Sequence, residues 1–260
     1  MILAIDIGNT NINIGCINDG IITFVFALST NHAKTSDEYA IDIKSILDFH
    51  SMNFTKVSGA IISCVVPPLV TVFKTALKML AGVDALVVGA GVKTGMNILI
   101  DDPAQLGGDM VAAAVGALAS YEPPLIIIDM GTATKMCVLD SKGNFIGGAI
   151  MPGLSLSMNA LSAGTSQLPY VPIEAPAKCI STNTIDCMKS GAVFGTAAMI
   201  DGMISRFEGE LGTNSNAIIT GGLAELVHKW CKQKIIYDPN AILRGLEAIY
   251  QRNRGTPHNR

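Results

Sequence analysis

The chain has 260 residues, of which 49% are hydrophobic and 5% aromatic, and its formal net charge is −3. That is apolar material enough for one large domain or two small ones. The acidic balance excludes a basic footprint for nucleic acid, the scarcity of aromatics disfavours a single-strand stacking platform, and no apolar run is long enough to span a bilayer.

The N-terminal MILAIDIGNT lacks the basic region and cleavage site of a secretory signal. Six cysteines (Cys16, Cys64, Cys137, Cys179, Cys187, Cys231) show no CxxC and no zinc-like spacing. They read as reduced core thiols of a cytoplasmic protein.

Residues 1–28 read as a three-stranded meander, with a hairpin signal at Asp19-Gly20. Its first strand, Ile2-Leu3-Ala4-Ile5, runs into Asp6-Ile7-Gly8-Asn9-Thr10, and Asn11-Ile12-Asn13 begins an alternating second strand. Gly8 lets a ligand approach the backbone, while Thr10 and Asn11 offer donors. Asp6 would repel a phosphate, so it suits a metal ion or its water shell. A lone D-x-G-N-T is equally a tight turn with no ligand.

Ser36 precedes a helix over Asp37–Phe49. A buried strand follows over Val57–Val65, and Pro67-Pro68 opens a helix reaching about Leu80. Ala85–Val88 is another strand, and the alternation indicates an α/β fold. Gly91 to Pro103 reads as a loop and short strand. Gly107-Gly108-Asp109 then sits before the small apolar helix Val111–Ala119. Asp109 reads either as a plain N-cap or as a carboxylate aimed into a cleft as general base.

Ile126-Ile127-Ile128-Asp129-Met130-Gly131-Thr132-Ala133-Thr134 repeats the first pattern: apolar strand, Asp, any residue, Gly, small hydroxyl residues. Two such half-chain copies suggest a nucleotide site with the triphosphate between two lobes, 1–115 and 116–260. Strands follow at Met136–Asp140 and Asn144–Met151, then a helix over Leu154–Leu161. Residues 162–182 form a Pro-, Ser- and Ala-rich excursion. Asn183-Thr184 caps a long helix to about Glu210, bearing Gly191, Gly195 and Gly202. Ala217–Ala224 is a strand ending in the Gly221-Gly222 turn, which leaves room for a base or ribose or merely connects strand to helix. A final helix runs over Ala241–Tyr250, and the polar tail 251–260 is expected to fray.

Together the two D-x-G hairpins and Thr220-Gly221-Gly222 resemble the actin-like ATPase and sugar kinase superfamily. That likeness implies two lobes of ribonuclease H-like type, each a mixed sheet flanked by helices. The finer resemblance, from residue 1 to about 250, is to type III pantothenate kinases. It is carried by Asp6–Asn13, Asp102-Pro103 with Gly107-Gly108-Asp109, Asp129–Thr134, Gly147–Gly153, Asn183-Thr184 with Gly191, and Thr220-Gly221-Gly222.

The resemblance implies ATP-dependent phosphorylation of pantothenate, the first step toward coenzyme A. ATP would meet Asp6, Ile7, Gly8, Asn9, Thr10, Asn11, Ile12, Asn13, Thr132, Gly221 and Gly222. Pantothenate would meet Ile100, Gly107, Gly108, Asp109, Met110 and Thr184, with Asp109 as base. Asp129 would hold a monovalent cation (K+ or NH4+), and the protein would be a homodimer. For an in-line transfer, Mg2+ reached through water from Asp6 or Asp129 would neutralise the phosphates. Four positions depart from the family pattern: Met110 and Gly164 stand for arginines, Ile100 for an aromatic, and Lys135 for a threonine. Lost arginines remove anion contacts. The same residues therefore also suit a degenerate nucleotide-binding paralogue with a regulatory role, or a kinase for another small hydroxylated substrate.

Overall fold

The structure is a computed structural model that describes residues 1–254. In chain order its elements are β1 (Ile2–Ile7), β2 (Asn11–Asn18), β3 (Ile21–Ser29), α1 (Ser36–Phe49), β4 (Gly59–Cys64), α2 (Pro67–Ala81), β5 (Ala85–Val87) and α3 (Gly108–Leu118). There follow β6 (Leu125–Met130), β7 (Ala133–Leu139), β8 (Phe145–Pro152), α4 (Leu154–Ala163), α5 (Thr184–Leu211), β9 (Asn216–Thr220), α6 (Ala224–Val227), β10 (Ile235–Tyr237) and α7 (Ala241–Asn253).

These elements form two compact units. The first takes residues 1–95, 102–119 and the chain from Ala241; the second takes 96–101 and 120–240. Each holds one five-stranded mixed sheet, ordered β3-β2-β1-β4-β5 and β8-β7-β6-β9-β10. In each, an antiparallel meander is extended by two parallel strands. The second sheet thus repeats the first strand for strand, as the repeated D-x-G pattern implies. Residues 116–119 and the last helix belong with the first unit, unlike the expected 1–115 and 116–260 lobes.

In the first unit, local chemistry sets the elements. Asp19 and Gly20 take positive φ values of 48° and 79°, the left-handed geometry a two-residue hairpin needs. Thr35 is the N-cap of α1, one residue earlier than expected: its hydroxyl accepts from Glu38 N while Glu38 accepts from Thr35 N, a capping box. One face of the sheet packs Leu3, Ile5, Ile7, Ile12 and Ile14 against α1 and α2 through Tyr39, Ile43 and Phe73.

The other face carries α7. A Cβ on Gly15 would lie 3.0 Å from Leu243 Cδ1, and one on Gly59 would lie 1.8 Å from Tyr250 Oη, so the bare strands admit the helix. α7 in turn packs on α3 at a double glycine crossing. A Cβ on Gly116 would sit 1.9 Å from Ala241 O, and one on Gly245 would sit 1.8 Å from Ala112 O. α3 is buried nearly all round, from Asp109 to Ala117, which its small apolar composition allows.

In the second unit, Ile126, Ile128, Met130, Met136 and Ile219 pack against Ala197, Ile200 and Ile204 of α5. The Asn183 side chain caps α5 by accepting from Asp186 N. The strand expected within 91–103 is reduced to one bridge, Ile98 to Phe145, and β10 was not foreseen. α7 runs on through Asn253, whose side chain exchanges hydrogen bonds with the backbone of Lys93. Residues 251–253 are therefore ordered helix rather than fraying tail; 255–260 lie outside the described residues. Among the described residues no helix is long and apolar enough to cross a membrane.

The cysteines divide three ways. Cys16 and Cys137 are buried, Cys64 and Cys231 are half-buried, and Cys179 and Cys187 are exposed, so the expectation of core thiols fails for the last two. All six are free thiols.

Candidate active site

In the first unit, Asp6 stands on β1 directly between Asn13 of β2 and Ser63 of β4. Registered residues project to one face, so a carboxylate, an amide and a hydroxyl stand in a row. Asp6 is 8% exposed and Ser63 is fully buried. Ser63 Oγ has no hydrogen-bond partner among the described residues, and a buried polar atom of that kind calls for a partner from outside the chain. Ser63 was missed in the sequence, although it is the first polar residue to break the run Ala60-Ile61-Ile62.

The turn beyond Asp6 is closed by Gly8 N donating to Asn11 O at 3.0 Å. It is strapped from Thr30, the residue after β3: Thr30 Oγ1 donates to Gly8 O at 2.7 Å and Thr30 N to Thr10 O at 2.9 Å. Asn9, Thr10, Asn11 and Asn13 are exposed. Ile7 and Ile12 are wholly buried in the core, so of their atoms only the backbone is placed to serve a ligand.

Asp109 lies in the first turn of α3, two residues past the N-cap Gly107, and is 7% exposed. Its Oδ1 accepts from Met110 N at 2.8 Å. A Cβ on Gly107 would approach that oxygen to 2.5 Å, so glycine there clears space for the carboxylate. The N-cap of α3 is Gly107, so Asp109 is not the cap residue itself. α3 carries it on the side of the sheet that α7 covers, the same side as Asp6.

In the second unit, Asp129 occupies the place in β6 that Asp6 holds in β1. Lys135 of β7 and Thr220 of β9 are its registered neighbours. Lys135 Nζ lies 2.7 Å from Asp129 Oδ2. The turn is held by Gly131 N donating to Ala133 O at 3.2 Å, and by Gly153 N donating to Thr132 O at 3.0 Å. Thr132 is exposed. Gly221 has φ +100°, and a Cβ there would strike the Met130 backbone at 2.6 Å. The Thr220-Gly221-Gly222 turn is thus brought against the end of β6, beside the second D-x-G hairpin, which the sequence order alone does not tell. Burial pushes the nearby Cys137 thiol up to about 12, with the charge of Asp129 adding to the effect.

The remaining substrate candidates are divided. Gly107, Gly108, Asp109 and Met110 belong to the first unit, and Ile100 and Thr184 to the second. Thr184 begins α5 and lies on a cavity of about 550 Å³ also lined by Leu154, Met158, Leu168 and Met188. Met110 is buried, and Gly164 is the C-cap of α4.

Among the described residues no group of three or more His, Cys, Asp or Glu could hold a metal ion. Magnesium, which uses one or two carboxylates alongside phosphate oxygens and water, suits Asp6 with Ser63 beside it. A monovalent cation on Asp129 does not fit the residues present, because the ammonium of Lys135 already meets that carboxylate.

Two D-x-G hairpins on duplicated mixed sheets define the actin-like ATPase and sugar kinase fold. Component A of (R)-2-hydroxyglutaryl-CoA dehydratase from Acidaminococcus fermentans shares it with a TM-score of 0.55 at 15% identity, over 95% of this chain and 96% of that one. Residues 2–206 match the family model for type III pantothenate kinase. The type III pantothenate kinase of an Exiguobacterium species is 39% identical over 98% of this chain and all of its own length. That of Halalkalibacterium halodurans is 37% identical over 97% of this chain and all of its own. The chain belongs to the type III pantothenate kinase family.

Proposed function

We propose that the protein transfers the γ-phosphoryl group of ATP to the terminal hydroxyl of pantothenate, giving 4'-phosphopantothenate and ADP in the first step toward coenzyme A. The observation that carries this is Asp109, a buried carboxylate at a helix N-terminus with Gly107 clearing the space in front of it. Its role is to accept the hydroxyl proton as the substrate oxygen bonds to phosphorus and the bond to ADP breaks. Positioning and electrostatics supply most of the rate in such transfers.

The exposed polar groups of Asn9, Thr10 and Asn11 and of Thr132 serve the phosphates, and Gly221-Gly222 the nucleoside. Magnesium, when bound, neutralises phosphate charge, and Asp6 would hold it through water. Thr184 and the cavity beside it serve pantothenate; about 550 Å³ suits a molecule of that size. A monovalent cation on Asp129 is no part of this reading, for the reason given by Lys135.

The free thiols suit a reducing cytoplasm. Exposed Leu156, Leu161, Ile180 and Ile185 on the second unit support a homodimer, which sedimentation equilibrium tests. Incubating the purified protein with Mg-ATP and pantothenate, and weighing the product by mass spectrometry, tests the activity. Phosphopantothenate formed in step with ADP is the expected result; no pantothenate-dependent ADP at saturating substrate overturns it. Buried, uncharged Met110 favours a second reading, a kinase for a less anionic alcohol, which the same assay run over neutral polyols distinguishes.

A further inference from the structure

The pairing of Asp129 with Lys135, where the family motif has a threonine at the second position, sits where the family resemblance places a potassium or ammonium ion. The two residues are directly opposed across β6 and β7. Their side chains are 8% and 18% exposed, with Nζ 2.7 Å from Oδ2. On the other flank of Asp129 stands Thr220, 1% exposed. No third acidic, histidine or cysteine ligand completes a metal group there among the described residues. The neighbouring Cys137 keeps its proton far above neutral pH and offers no thiolate.

A lysine ammonium carries the same single charge as potassium and donates hydrogen bonds like an ammonium ion. Fixed on the adjacent strand, it is present at high effective concentration, whereas a solution ion would first have to break a close pair with little solvent around it.

We propose that Lys135 is a built-in monovalent cation, so that this enzyme works without potassium or ammonium. Lys135 acts here as a positioning residue through Asp129. It takes no part in proton or phosphoryl transfer. The inference rests on the kinase reading above, and its test has one arm that does not.

Turnover and melting temperature are measured for wild type and Lys135→Thr, in potassium chloride and in choline chloride of equal ionic strength. Wild type is expected to give the same turnover and the same melting temperature in both salts. Lys135→Thr is expected to lose activity in choline by about 10–150-fold, the worth of one hydrogen bond to a charged group. Potassium should restore it and should raise its melting temperature saturably. A merely structural lysine would give a variant indifferent to which cation is present. A wild type activated or stabilised by potassium overturns the proposal without any variant, as does a folded Lys135→Thr with no potassium response. If neither protein phosphorylates pantothenate, the kinase reading fails and the melting arm still decides the cation question.

Discussion

The double glycine crossing of α3 and α7 gives the sharpest quantitative prediction. In Gly116→Ala the new methyl would sit 1.9 Å from the carbonyl oxygen of Ala241. Ordinary contact lies near about 3.5 Å, so the helices must part by roughly 1.5 Å. The obstructing atom is backbone, so no rotamer change relieves it. Alanine in a helix interior is itself favourable by about 1 kcal/mol over glycine. Overpacking costs about 1–3 kcal/mol, and a rigid backbone obstacle puts this site at the upper end or above. The net is a loss of about 2 kcal/mol or more, a fall in melting temperature of about 4–8 °C for a chain of this size. Gly245→Ala meets Ala112 O at 1.8 Å and should behave alike. The double variant should lose less than the sum, because the first separation makes room for the second methyl. Gly209→Ala is the control: it lies in α5 with nothing within 4 Å of the added carbon, and should be neutral or stabilising. Calorimetric melting of the four variants decides. Equal melting temperatures for Gly116→Ala and Gly209→Ala would refute the reasoning. Because α3 also carries Asp109, turnover of Gly116→Ala should fall even where the protein remains folded.

The remaining predictions concern single groups. Asp109→Asn should lower turnover by roughly 10²–10⁴-fold while calorimetry still detects ATP binding; full activity removes the base assignment. A thiol reagent at pH 8 should label exposed Cys179 and Cys187 and leave Cys16 and Cys137 unmodified until denaturant is added. Burial raises those two buried thiols from 9.0 to about 11 and about 12. The folded state therefore holds their protons more tightly than the unfolded chain. Their contribution to stability is complete below pH 9 and declines as the pH climbs through these values, which denaturant titrations in alkaline buffer should register. Thr35→Ala removes half of the capping box on α1 and should cost about 0.5–2 kcal/mol in urea unfolding, with Thr35→Ser restoring most of it.

Much of this molecule is legible in one dimension because its signals are local. Asp6-Ile7-Gly8 and Asp129-Met130-Gly131 each follow a short apolar strand and precede an alternating one, so the duplicated hairpins declare themselves. Asp19-Gly20 sets its turn and Asn183 its helix cap by side-chain chemistry a few residues wide. What escaped depends on contacts between distant segments. α7 has an apolar stripe of Leu243, Leu246 and Ile249, but a stripe does not name the sheet it covers; Gly15 and Gly59 decide that. Ser63 beside Asp6 follows from parallel pairing of strands separated by a helix, which no local pattern reports. Ile7 and Ile12 fall within a binding motif yet turn inward, because strand alternation governs their side chains. The Asp129–Lys135 pair follows from the register of a single hairpin, and its meaning comes only from the partner it excludes.

The return of the last helix to the first sheet has a consequence for how the protein is made. Ile2, Ala4 and Asp6 are translated well before α7, which packs over that side of the sheet. Roughly 210 residues, from the end of β3 at Ser29 to the start of α7 at Ala241, are synthesised in between, a delay of about 10–40 s at ordinary elongation rates. Throughout that interval the nascent meander exposes half of its hydrophobic surface, a sticky intermediate for chaperones to shelter until the closing helix emerges.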